Sequence, residues 1–124
     1  MSLKMMSTLF FSLAVCCHLL FFVMESILFQ KPNGHKLFKV PQQDHNGSKL
    51  WAMNQGFYNL FLALGLLTGL LTEQQILVTF CSLSMIGAGA VLFITSPRLL
   101  RGALLQMSPP ILGFIFFLMD RHQI

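Results

Sequence analysis

The sequence predicts an all-α integral membrane protein, a bundle of four transmembrane helices. Three observations predict it. Only 10% of the 124 residues are charged, against about a quarter in a soluble domain. Mean hydropathy is +0.70. Four apolar stretches each approach the roughly 20 helical residues that cross a bilayer core of about 30 Å.

The stretches are 5–29, 51–71, 75–94 and 98–119, and they leave room for a single membrane domain over 1–124. Lipid offers backbone groups no partner, so each must be helical. Period-2 alternation is absent, which argues against strands.

The first stretch is tested as a signal peptide. Lys4 is a basic start, but the apolar run is far longer than the roughly 7–15 residues of a signal core. Leu13-Ala14-Val15-Cys16 resembles a lipoprotein box, yet the run continues well past the cysteine. A retained helix is expected.

The connections differ. Between the first two helices, Lys31-Pro32-Asn33-Gly34, Pro41 and Asn46-Gly47-Ser48 predict a loop at the membrane surface. Thr72-Glu73-Gln74 is a tight turn, making helices two and three antiparallel neighbours. Ser96-Pro97 reads as an N-cap followed by proline at the first helical position. A fourth helix beginning after Pro109-Pro110 would be too short to span, so it must start near Pro97 and kink at the prolines. Gln106, one turn earlier, is placed to donate to a carbonyl they free.

Orientation follows from the basic residues. Lys31, Lys36, Lys39, Lys49, Arg98 and Arg101 fall at one end of the bundle; Lys4 and Arg121 fall at the other. The positive-inside rule makes the first end cytoplasmic and both termini external. The net charge of +4 is scattered among apolar runs, so no nucleic-acid partner is expected. Membrane lipids are the expected surroundings. Lys31, Lys36 and Lys39 alternate with Leu37, Phe38 and Val40, a pattern suited either to setting topology or to contacting lipid head groups.

Polar side chains inside the helices are the informative exceptions, because a membrane tolerates them only for a reason. His18 and Glu25 lie two helical turns apart on one face. Asn54 and Gln55, then Tyr58 and Asn59, stack at i, i+4 on helix two, and helix four adds Gln106. Counting helical rise from the basic loops brings Glu25, Tyr58, Asn59 and Gln106 to similar depth, with His18 as a deeper floor. The set His18, Glu25, Asn54, Gln55, Tyr58, Asn59 and Gln106 is therefore the candidate site for a lipid or small amphipathic ligand. A purely structural hydrogen-bond network is the bland alternative. Glu25 and His18 acting as acid and base make the chain an enzyme instead. A small proton-coupled transporter is a third reading, and it would need a homodimer, for which Gly65-x-x-x-Gly69 offers a face. The bland reading of Gly65-x-x-x-Gly69 and of Gly87-Ala88-Gly89-Ala90 is close packing of helices two and three on each other within the chain.

No cofactor and no metal is expected. The histidines outside helix one are not at metal-ligand spacing on any helix. Three cysteines without a C-x-x-C motif form no disulfide framework.

Glu25, followed by Lys31-Pro32-x-Gly34-x-Lys36-x-Phe38 and by Asn54-Gln55-Gly56-x-Tyr58-Asn59-x-Phe61-Leu62-Ala63-x-Gly65, resembles a widespread bacterial family. Its members are small integral membrane proteins catalogued only as a domain of unknown function. The Asn-Gln-Gly-x-Tyr-Asn run is the most specific part, and the likeness extends over nearly the whole chain. It implies four helices in a bacterial cytoplasmic membrane and supplies no activity.

Overall fold

The computed structural model describes residues 1–122. Four long helices account for most of them. Helix α1, Leu3–Phe22, runs into a π-helical segment, Val23–Leu28. Helix α2 is His45–Leu71, α3 is Gln75–Thr95 and α4 is Leu100–His122. Three spans are long and apolar enough to cross a membrane: Leu3–Leu28, Gln75–Thr95 and Pro97–His122. Helix α2 is not among them, because Asn54, Gln55 and Asn59 dilute its first half. From Phe57 onward it still exposes Phe61, Leu64 and Leu71 on its outer face.

Each helix begins and ends for local reasons. The Ser2 hydroxyl caps α1 by accepting from the Met5 amide at 3.2 Å. Between α2 and α3 the chain turns at Glu73, whose φ of 55° is left-handed, and the Gln74 amide donates back to the Gly69 carbonyl at 2.9 Å. Pro97 opens a 3-10 turn, Pro97–Leu99, ahead of α4, as expected of proline at a helix start. The Ser96 hydroxyl, however, makes no capping hydrogen bond. Helix α4 runs unbroken through Pro109 and Pro110, both buried. Gln106 is buried beside them, but its amide makes no hydrogen bond to a helix carbonyl among the described residues.

The second helix starts earlier than its apolar stretch does. Asn46, Gly47 and Ser48, which read as turn formers, lie in the first turn of α2. The reason is tertiary. His45 is 6% exposed, its ring packs on Phe29 at 5.0 Å between centroids, and its Nε2 donates to the Lys31 carbonyl at 3.1 Å. The first turn of a helix also has free amides that Asn and Ser suit. The loop is correspondingly short and folds on itself as a 3-10 turn, Gly34–Phe38. Gly34 sits against the Phe29 carbonyl where any Cβ would collide.

The helices pack in a ring, each on its neighbours in sequence, with α4 closing onto α1. The core is Phe11, Ala14 and Val15 from α1, Ala63 and Leu66 from α2, and Val78, Cys81 and Met85 from α3. Helix α4 brings Gly113 against the Phe11 ring, and Phe116 stacks on Phe10 at 5.5 Å. Small residues set the spacing. A Cβ on Gly65 would lie 2.8 Å from the Cys81 Sγ, and one on Gly69 would lie 2.9 Å from Val78 Cγ2. The face that the sequence offers for a homodimer is therefore covered by α3 of the same chain. Gly89 approaches Ala103 and Met107 of α4, whereas Gly87 faces open space.

All six basic residues of the two basic segments lie at one end of the ring, with the α1–α2 loop and the α3–α4 connection. Lys4 and Arg121 lie at the other. There Lys4 approaches Glu73 at 3.9 Å, and Arg121 donates to Gln75 at 2.9 Å. Both contacts are solvent-exposed, and such pairs contribute little to stability.

Candidate functional site

Where α1 nears the basic loop its hydrogen bonding changes register. The Phe29 amide donates to the Met24 carbonyl at 2.8 Å, an i→i+5 bond. Such π-segments often mark functional positions. The widening coincides with a close crossing of α2. Ser26 is buried there, and its hydroxyl donates to the Met53 carbonyl at 2.9 Å. Gly56 packs directly against Ser26. Gln30 ties the same crossing from beyond the π-segment, donating to the Glu25 and Lys49 carbonyls at 3.3 and 3.0 Å.

This crossing positions Glu25. Its Oε2 accepts from the Asn59 Nδ2 at 2.7 Å, the one side-chain hydrogen bond joining the polar residues of α1 and α2 among the described residues. Asn59 is 3% exposed, so its amide is committed to the carboxyl group. Oε1 takes no hydrogen bond from the described residues, and no Lys or Arg forms an ion pair with Glu25 among them.

Glu25 also forms part of the wall of an open cavity of about 340 Å³. The rest of the wall comes from Phe29, Phe38, Val40, Trp51 and Ala52, with Ser48 and Gln55. The cavity is thus largely apolar and aromatic, with one carboxyl group set into it. It lies beside the basic loop, where Lys31, Lys36 and Lys39 are exposed.

The predicted site residues divide into three groups. Glu25 bonds Asn59, and Gln55, itself exposed, shares the cavity wall with Glu25. His18 and Gln106 are buried deeper in the bundle. Asn54 and Tyr58 do not join them: both point outward, Tyr58 being 63% exposed. The expected meeting of Tyr58 with Glu25 is therefore corrected. Residues on a helix advance about 100° each, so a partner for Glu25 at position 59 leaves position 58 well round the outer surface.

His18 does not reach Glu25 either. Its Nδ1 lies 3.0 Å from the Ala14 carbonyl of its own helix. A carbonyl only accepts, so in the neutral ring Nδ1 carries the hydrogen and Nε2 is a bare acceptor. That Nε2 is enclosed and takes no hydrogen bond from the protein. The acid–base pair expected of Glu25 and His18 is thus two separate groups in this geometry.

The sequence reading missed two features. The aromatic cavity wall, Phe38 and Trp51 above all, joins a loop residue that reads as surface to the first residue of the second apolar stretch, a contact with no local signal. Ser82, on α3, is fully buried with a hydroxyl that has no protein partner. It adjoins Cys81, which faces Gly65, and so lies at about the level of His18. A serine in an apolar helix gives no sequence signal of its direction. Ser82→Ala is expected to raise the thermal midpoint in detergent, with a gain of up to about 1 kcal/mol, because it removes an unsatisfied hydroxyl. A drop instead would mean that the hydroxyl has a partner in the membrane.

No group of three or more His, Cys, Asp or Glu side chains among the described residues is arranged to hold a metal ion. His35 and His45 come closest to a pair, with ring centroids 5.1 Å apart. The cysteines are free, Cys17 and Cys81 buried and Cys16 exposed.

Fold and site together define a small helical protein whose apolar spans fit a membrane. Residues 12–118 match the family described as protein of unknown function (DUF1304), and the chain belongs to it. No curated protein and no solved structure matches the chain.

Proposed function

We propose that this protein crosses a bacterial cytoplasmic membrane four times, with both termini outside, and binds a lipid or small amphipathic molecule in the cavity beside Glu25. The observation that carries this reading is the placement of Glu25. Its carboxyl group is fixed by Asn59 on one side and open to an aromatic cavity on the other. A purely structural network would satisfy both oxygens from within the bundle. The volume falls within the range of about 300–1,000 Å³ usual for small-molecule sites. The placement of six basic residues at the cavity's end supports a cytoplasmic opening at head-group level. The apolar outer face of α2 supports its being the fourth span.

Native mass spectrometry of protein released gently from its own membrane tests this. Wild type should carry a discrete bound mass of lipid size. Glu25→Gln should keep its fold and carry less of that mass. Equal retention by both would remove Glu25 from the site. A bare wild-type chain, with the variant merely less stable, would favour the structural reading of the polar residues.

A further inference from the structure

We infer that the cavity selects an ammonium-bearing head group, that of a zwitterionic aminophospholipid. This rests on the cavity reading above and adds the chemical class of its ligand.

Two observations carry it. The first is the uncompensated carboxyl group: Glu25 has an amide partner on Oε2, no protein donor on Oε1 and no ion-pair partner among the described residues. An ammonium at Oε1 would supply both a donor and the missing countercharge, and charge-assisted hydrogen bonds are the strong ones. The second is the composition of the wall. Phe29, Phe38 and Trp51 line the same open space, Trp51 largely exposed and Phe29 buried behind Phe38. Aromatic faces attract ammonium groups, by about two- to fivefold in affinity at an exposed site. An anionic head group would meet the Glu25 carboxyl group and the rings of Phe38 and Trp51, all unfavourable to it.

The rim favours the zwitterion over a simple amine. Lys39 and Lys49 stand next in sequence to the wall residues Phe38, Val40 and Ser48, and outside the wall itself. Lys39 is exposed, in a left-handed conformation that turns the loop back at this point. A phosphate two carbons from the ammonium would be held near these cations while the ammonium sits at Glu25. The acyl chains would then lie along the apolar outer faces of α1 and α2, where Ile27 and Phe57 are exposed.

Trp51 is the single tryptophan of the chain and stands on the cavity wall, so its fluorescence reports occupancy. The test titrates the full, delipidated chain in maltoside micelles with dioctanoyl phosphatidylethanolamine, with dioctanoyl phosphatidylglycerol, and with water-soluble phosphoethanolamine. The ethanolamine lipid is expected to change Trp51 emission saturably, and to bind about tenfold or more tightly than the glycerol lipid. Phosphoethanolamine alone should bind far more weakly. Glu25→Gln should reduce the preference to near unity. Because Glu25 also holds Asn59, Phe38→Leu provides a second variant, in the loop, where the ring packs edge-on against Phe29 at 5.5 Å and leucine keeps an apolar contact. It should weaken the ethanolamine lipid several-fold and leave the glycerol lipid unchanged. Equal saturable binding of both lipids, unchanged by Glu25→Gln, would overturn the ammonium assignment while leaving an amphiphile cavity in place. Tight binding of phosphoethanolamine would overturn the lipid source. Failure of every probe to perturb Trp51 would overturn the cavity reading itself.

Discussion

Gly56→Val is expected to separate α1 from α2 at the π-segment and lower stability by about 3 kcal/mol, the upper end for overpacking a close contact. A Cβ at position 56 would overlap the Ser26 hydroxyl and lie 2.9 Å from the Ser26 amide nitrogen and 3.1 Å from the Glu25 Cβ. The hydroxyl cannot simply rotate away, because it donates to the Met53 carbonyl. The amide nitrogen is backbone and cannot move without unwinding the segment. The helices must therefore part, and the 2.7 Å bond between Asn59 and Glu25, one turn along, parts with them. Thermal unfolding in detergent should show a lower midpoint. Gly87→Val is the matched control, since nothing lies within 4 Å of its Cβ position. Its midpoint should stay within about 0.5 kcal/mol of wild type, as for a surface change. Helix propensity alone would favour valine over glycine at both positions, so similar losses from both variants would mean that the crossing is looser than described.

The same crossing shows what could be read from the sequence and what could not. The helices were legible because lipid allows few alternatives: long apolar stretches must be helical, and the tight turn at Thr72-Glu73-Gln74 must reverse them. That His18 and Gln106 turn inward was legible for the same reason, since each is an isolated polar residue in an apolar helix. The rotation of α2 was not legible. Asn54, Gln55, Tyr58 and Asn59 sample several directions at about 100° per residue, and their pairing at i, i+4 admits two different inward faces. Gly56 decides between them. It sits about 60° from Asn59 and about 100° from Gln55 on the helical wheel, and only its contact with Ser26 reveals that this is the crossing face. The π-segment was equally hidden, because it answers a tertiary bond from Ser26 to another helix. The early start of α2 depends on His45 reaching Phe29 and Lys31, again a contact with no local signal. The Gly65 and Gly69 pair is legible as a close-approach motif, and within the chain α3 packs against it through Cys81 and Val78.

Replacing Asn59 and Glu25 by leucine, singly and together, is expected to separate the structural contribution of the polar pair from its binding role. Asn59→Leu removes the single side-chain donor to Glu25 among the described residues and should cost about 1–3 kcal/mol, the range for leaving a buried polar group without its partner. Glu25→Leu leaves the buried Asn59 amide without its acceptor, at a cost of about 1–3 kcal/mol. The double variant leaves neither group orphaned and places apolar side chains in an apolar medium. It should therefore be more stable than the sum of the single losses predicts, by a coupling of about 0.5–3 kcal/mol. Reversible unfolding in bicelles, followed for all four proteins, gives that coupling directly. Strict additivity would mean that the pair does not interact in the membrane. The double variant is also the sharpest test of function, because its fold should survive while the carboxyl group is gone from the cavity wall. If it folds and no longer takes up lipid, Glu25 is present for the ligand, and Asn59 holds it there. If it folds and binds as wild type does, the aromatic wall alone makes the site, and the carboxyl group belongs to the packing of α1 on α2.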